Sequence, residues 1–186
     1  MKTIKTTVLF ISLLLFTASA VAQTNLYPTT RTIQGNGFVF QADVRESGHV
    51  TLYNRTNRFT GTVPTFRDGS PLTVEFFHSE GPTVTIASMQ QAENQIVNIV
   101  RNALSTAERT RVINGNGELR IVFRINPDTG RVMEVQFSFP AFCPFATIPV
   151  AVYRTIEVNL INQIQFTPTA KGRRMNYIFY GTSISI

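Results

Sequence analysis

Leu119-Arg120-Ile121-Val122-Phe123-Arg124-Ile125, then Asn126-Pro127-Asp128-Thr129-Gly130, then Val132 to Phe139 is the stretch that decides the fold class. In the first run Leu119, Ile121, Phe123 and Ile125 alternate with Arg120, Val122 and Arg124, the period of two that turns one side of a strand toward a core. The next five residues are turn formers, and the apolar run after them is the returning strand. Upstream, Ala92, Ile96, Ile99, Val100, Ala103, Leu104 and Ala107 keep the spacing of one helical face. Ser88 with Gln91 three residues later predicts a capping box at the start of that helix, and Asn114-Gly115-Asn116-Gly117 closes the region. Downstream, Val152, Ile156, Leu160 and Ile164 repeat on a second helix, which must end before Phe166-Thr167-Pro168. Arg174 to Ile186 predicts a final strand with Met175, Tyr177 and Phe179 on one side. The order is helix, strand, turn, strand, helix, strand, that of an α+β chain.

Working outward toward the N-terminus, the pattern is β-rich. Phe38, Phe40 and Ala42 alternate with Val39, Gln41 and Asp43, Arg45-Glu46-Ser47-Gly48 turns the chain, and His49 to Tyr53 runs back. A second pair is predicted from Thr60 to Phe66 and Leu72 to Phe77, across Arg67-Asp68-Gly69-Ser70-Pro71. Thr83 to Ala87 reads as one more short strand. Residues 37–87 thus form an N-terminal β-meander, with 23–35 a loose lead-in. The Asn/Gly breaks are too short for a linker, so 23–186 reads as a single mature domain.

Residues 1–22 carry Lys2 and Lys5, an apolar run from Val8 to Phe16, and Ala20-Val21-Ala22. That is the order of a cleavable secretory signal peptide, and it predicts a periplasmic or extracellular protein beginning at Gln23. A retained anchor is the alternative, but the apolar run is short of the ~20 residues of a membrane span. Cleavage lowers the formal charge from +6 to +4 and leaves Lys171 as the only lysine. The arginines are spread along the chain without the basic run that tracks phosphates, so nucleic acid is not expected as a partner. The single cysteine, Cys143, excludes an intramolecular disulfide. Its apolar setting predicts a buried hydrophobe rather than a nucleophile.

Two segments carry a resemblance. Gly117 to Val132, with its alternating strand, Asp-Thr-Gly turn and Arg131-Val132, is similar to the central hairpin of the TonB C-terminal domain. Ile164-Gln165-Phe166-Thr167-Pro168-Thr169-Ala170-Lys171-Gly172 is similar to the F-x-P-x-x-x-G that ends a helix before that family's last strand. The resemblance covers residues ~90–186. It implies an antiparallel sheet with two helices packed on one face, and partner binding by strand addition. The chain departs from the family's plan in lacking a Pro-rich spacer and in carrying residues 37–87, so no functional residue is transferred. The exported design and Leu52-Tyr53-Asn54-Arg55-Thr56-Asn57 also resemble uncharacterised secreted proteins of Bacteroides-type bacteria.

The supply of reactive groups is thin. His49 and His78 are both expected on strands and could approach one another, but no third metal ligand is evident. Asp43, Glu46, Asp68, Glu75 and Glu80 are scattered, and no spacing pairs two of them for acid–base work. No nucleophile elbow, phosphate loop or dinucleotide fingerprint is present. No catalytic, cofactor or metal residue is therefore expected. What remains is a non-catalytic binding protein for an envelope protein, peptide or glycan, acting through an open sheet edge or the apolar loop 139–149. The candidate contacts there are Phe139, Phe142, Phe145 and Ile148; a buried plug over the core is the competing reading of the same loop. A structural or assembly subunit of the envelope is the alternative function, and a glycan-acting enzyme a further one.

Overall fold

The computed structural model describes residues 24–78 and 81–186. The proposed signal peptide, its cleavage point and Glu80 lie outside these residues. Three strands come first: β1 (Arg31–Gly35), β2 (Phe38–Val44) and β3 (His49–Asn54). A short helix α1 (Val74–His78), the long α2 (Ile86–Ala103) and α3 (Thr106–Asn114) follow. The chain then runs through β4 (Leu119–Ile125), β5 (Val132–Pro140), α4 (Val150–Gln163) and β6 (Ile178–Ile184). All six strands join one antiparallel sheet in the order β1-β2-β3-β5-β4-β6.

The central hairpin forms where the alternation places it. Leu119, Ile121, Phe123 and Ile125 are fully buried, together with Val135, Phe137 and Phe139 of β5. The turn is held by its own side chain: Asn126 Oδ1 accepts from the Asp128 and Thr129 amides at 2.9 and 3.0 Å. Gly130 closes it at φ +70, and a Cβ there would overlap the Phe166 carbonyl, so the site demands glycine. Helix α4 lies on β5 and carries α2 against it. Its buried residues are Tyr153, Ile156, Glu157 and Leu160. The opposite sheet face is polar, with Gln41, Asp43, Thr51, Tyr53 and Gln136 half-buried and Arg120 exposed.

β3 pairs directly with β5, Leu52 facing Phe137 and Val50 facing Phe139. The N-terminal strands therefore extend the sheet of the second half, and one apolar cluster runs from Phe40 and Leu52 to Ile156 and Ile184.

Several local expectations are corrected. The segment 23–35, expected as a loose lead-in, contains β1, which pairs with β2 from Arg31 to Gly35. The capping box expected of Ser88 and Gln91 is not formed: Thr85 is the N-cap, and Ser88 Oγ donates to the Thr85 carbonyl at 2.9 Å inside the first turn. The predicted hairpin between 60–66 and 72–77 is not formed; only a Thr65–Pro71 bridge remains of it. Thr73 Oγ1 accepts from the Phe76 amide at 3.2 Å and starts α1 instead. The strand at 83–87 reduces to a Val84–Pro168 bridge, because Thr85 is already the N-cap of α2. The helix expected to run through Ala107 stops at Leu104, whose ψ of 136 is extended. Ser105 and Glu108 form a reciprocal capping box that starts α3, and Ala107 is exposed. The last strand begins at Ile178, with Met175 tied to Phe66 by an isolated bridge.

Candidate functional site

The two edges of the sheet differ. β1 has five residues and begins with Arg31. β6 has seven, Ile-Phe-Tyr-Gly-Thr-Ser-Ile, and pairs only with β4, from Ile178 opposite Ile125 to Ile184 opposite Leu119. It contains no charge, no proline and no register shift, the usual devices that blunt an exposed edge. Among the described residues nothing pairs along its outer side.

Behind this edge the side chains are fixed. Tyr180 stacks on Phe123 and leans on Phe166, and its hydroxyl donates to Glu93 of α2 at 2.9 Å. Burial, then the hydrogen bond and charge of Glu93, push this phenol up to about 12. On the other face Phe179 is 42% exposed and lies 4.8 Å from the Arg124 guanidinium, which also faces Tyr177 at 5.6 Å. Arg124 is 6% exposed; its Nε donates to the Phe59 carbonyl at 3.4 Å. Its Nη1 has no hydrogen-bond partner among the described residues. Glu134 faces Arg124 in register and accepts from the Arg58 and Phe59 amides at 2.5 and 3.0 Å. The crossing at 57–59 is thereby clamped to the sheet next to β6.

The loop 139–149 divides sharply. Phe139, Phe145 and Ile148 are fully buried, while Phe142 is 87% exposed. Phe139 stacks on Tyr153 at 5.5 Å, and the hydroxyls of Tyr153 and Tyr27 donate to the carbonyls of Phe145 and Ile148 at 2.8 and 2.7 Å. Three of the four candidate contacts thus seal the core, and Phe142 alone faces outward. Cys143 is buried in the same loop, and burial raises its thiol above the usual range.

The two histidines are separated by element. His49, on β3, lies 2.6 Å from the Ser138 hydroxyl, and His78 ends α1 rather than sitting on a strand. A Ser–His contact is half of a nucleophile and base arrangement, but no third group orients the imidazole among the described hydrogen bonds. No group of three His, Cys, Asp or Glu residues among those described could hold a metal ion. No helix among them is long and apolar enough to cross a membrane.

A family model described as "Domain of unknown function (DUF5043)" matches residues 23–181. The chain belongs to the DUF5043 family. A crystal structure of a DUF5043 family protein from Bacteroides uniformis ATCC 8492 is similar at 35% sequence identity and a TM-score of 0.73. The match covers 87% of this chain and 94% of that one. Comparison with curated proteins gives no match.

Two polar groupings of this DUF5043 chain escaped sequence reasoning. One is the Arg124–Tyr177–Phe179 sandwich, which brings the end of β4 against Tyr177 just before β6 and Phe179 at its start. The other is Asn54, Arg154 and Glu157, which meet under the sheet: Glu157 accepts from Arg154 Nη1 at 2.5 Å and Asn54 Nδ2 at 3.3 Å. The i,i+3 spacing of Arg154 and Glu157 on a helix was the available signal for half of it.

Proposed function

We propose that this protein is exported and acts as a non-catalytic binding protein, taking up an extended segment of an envelope partner along β6. The observation that carries the reading is the uncharged, proline-free outer edge of that strand. Strand addition draws its affinity from main-chain hydrogen bonds and its specificity from alternate side chains. Here Phe179, Gly181 and Ser183 alternate with Tyr180 and Thr182, giving the incoming strand an aromatic neighbour on each face. The resemblance of residues ~90–186 to TonB C-terminal domains implies the same mode of binding, and residues 1–22 have the order of an export signal.

The test is a selection of displayed extended peptides on the full chain, repeated with Ser183→Lys. Ser183 is exposed, and an edge lysine is a natural device against pairing. Enriched peptides that bind the parent and lose at least about tenfold affinity on Ser183→Lys, at unchanged Tm, support the reading. Peptides that bind both chains equally, or none enriched, overturn it; a self-associated chain that Ser183→Lys makes monomeric would point to the assembly role. A fusion of residues 1–22 to a reporter active only after export tests the location.

A further inference from the structure

At the end of the sheet far from β6, the β1–β2 turn, the end of β3 and α4 line an open cleft of about 640 Å³. Its side chains include Gln34, Phe38, Asn54, Arg55, Thr56 and Arg154. The volume falls in the range of small-ligand sites. Two arginines and no carboxylate line it, so its chemistry selects an anion.

The cleft is built from behind. Glu157 is 1% exposed, and it fixes both Arg154 and Asn54. Asn54 in turn accepts from the Thr56 amide and hydroxyl at 3.1 and 3.0 Å. A buried carboxylate thus orients one guanidinium and the wall beside it, which is how a supporting shell pre-organises a binding site. Arg55 has no ion pair among the described residues and is exposed. Its amide donates to the Val39 carbonyl at 2.9 Å, so its backbone is fixed at the cleft mouth.

Charge balance narrows the ligand. The Glu157 carboxylate offsets Arg154, leaving about one net positive charge from Arg55, which suits a monoanion better than a phosphate dianion. The guanidinium fork matches a carboxylate in two parallel hydrogen bonds. Phe38 supplies the apolar platform. Its ring lies across Gly35, where any Cβ would overlap it, and meets Phe40 edge to face at 5.7 Å, so it is held in place half-buried at the cleft wall. An apolar ring beside side-chain amides and a guanidinium fork fits a sugar ring that bears a carboxylate. We infer that this cleft binds an acidic saccharide of the uronic-acid type, with Arg55 as the residue that reads its carboxylate. The inference goes beyond the edge-strand reading and is independent of it.

The experiment titrates the full chain, followed by its backbone amide resonances, with three probes. They are a disaccharide of glucuronic acid and N-acetylglucosamine, the same sugar with its carboxyl reduced to the alcohol, and an N-acetylated tetrapeptide with a free C-terminus. The acidic sugar is expected to move the amides of residues 34–38 and 54–56, with the reduced sugar at least about tenfold weaker. Arg55→Gln is expected to cost the acidic sugar about tenfold at unchanged Tm, while Ser183→Lys leaves it unchanged, so this inference and the edge-strand reading fail separately. Equal binding of acidic and reduced sugars, indifference to Arg55→Gln, binding of the peptide in place of the sugar, or no binding of any probe would overturn it.

Discussion

Leu52 of β3 lies directly opposite Phe137 of β5, and both are fully buried. With Val50 opposite Phe139, this pair joins the N-terminal strands to the central hairpin on the core face and makes the apolar face continuous. A fragment of residues 88–186 would leave Phe137 and Phe139 without the strand that covers their edge. We expect that fragment to lack a cooperative thermal transition, and Leu52→Ala in the full chain to cost about 2–5 kcal/mol. A fragment that melts cooperatively would show that the second half needs no neighbour.

Gly130 is the tightest backbone site. A side chain there meets both a left-handed φ and the Phe166 carbonyl, which accepts no displacement because the Phe166 amide donates back to the Gly130 carbonyl at 3.0 Å. Gly130→Ala is expected to cost at least about 3 kcal/mol. For a chain of this size that is a fall of roughly 6–12 °C in Tm. A change under 2 °C, about 1 kcal/mol or less, would mean the turn relaxes freely.

The alkaline limb of stability should carry the signature of Tyr180. Folding favours its protonated form, so its contribution is complete below the ordinary phenol range near 10. It is lost as pH rises toward about 12. Tyr27, Tyr53 and Tyr153 are also pushed up, chiefly by burial, so the Tyr180 share of the 295 nm titration is read as the difference from Tyr180→Phe. Glu93→Gln removes the negative charge and leaves burial and an amide oxygen that can still accept the hydroxyl, so that phenol should titrate earlier. An unchanged titration curve would dismiss the Tyr180–Glu93 contact.

Cys143 should be inert while the chain is folded. Its raised thiol pKa and its burial both lower the fraction of accessible thiolate. Iodoacetamide at pH 8 is expected to modify it at least about tenfold faster in denaturant than in native buffer, as read by mass. Equal rates would place the thiol at the surface.

The strands and the long helices were legible because their apolar residues are periodic. Leu119, Ile121, Phe123 and Ile125, and Ala92 to Val100, each turn an apolar face to the core, although Val122 and Arg124 on the other face of β4 are buried too. The region 60–87 was misread because β-formers such as Val74 and Phe77 are exposed there, so their alternation answered to no buried face. The helix break at Leu104 was written in Ser105 and Glu108, which form a capping box where Ser88 and Gln91 do not, but the apolar spacing ran across it. In the loop 139–149 the same phenylalanines suit a plug or a patch. Which one they form is decided by the hydroxyls of Tyr27 and Tyr153, 121 residues from Ile148 and eight from Phe145 along the chain. The edge and the cleft were out of reach for a similar reason, since neither strand order nor the meeting of Asn54 with Glu157 is a property of any local window.

The place of β6 has a consequence in time as well as space. The hairpin β4–β5 stands between a strand made early, β3, and the strand made last. Pairing over such separations in sequence is slow to nucleate. Until Ile178 to Ile184 have left the ribosome, β4 has an open side and the sheet has no second boundary. The native sheet therefore cannot close until that strand has been made, and any shorter nascent chain lacks one of its two edges.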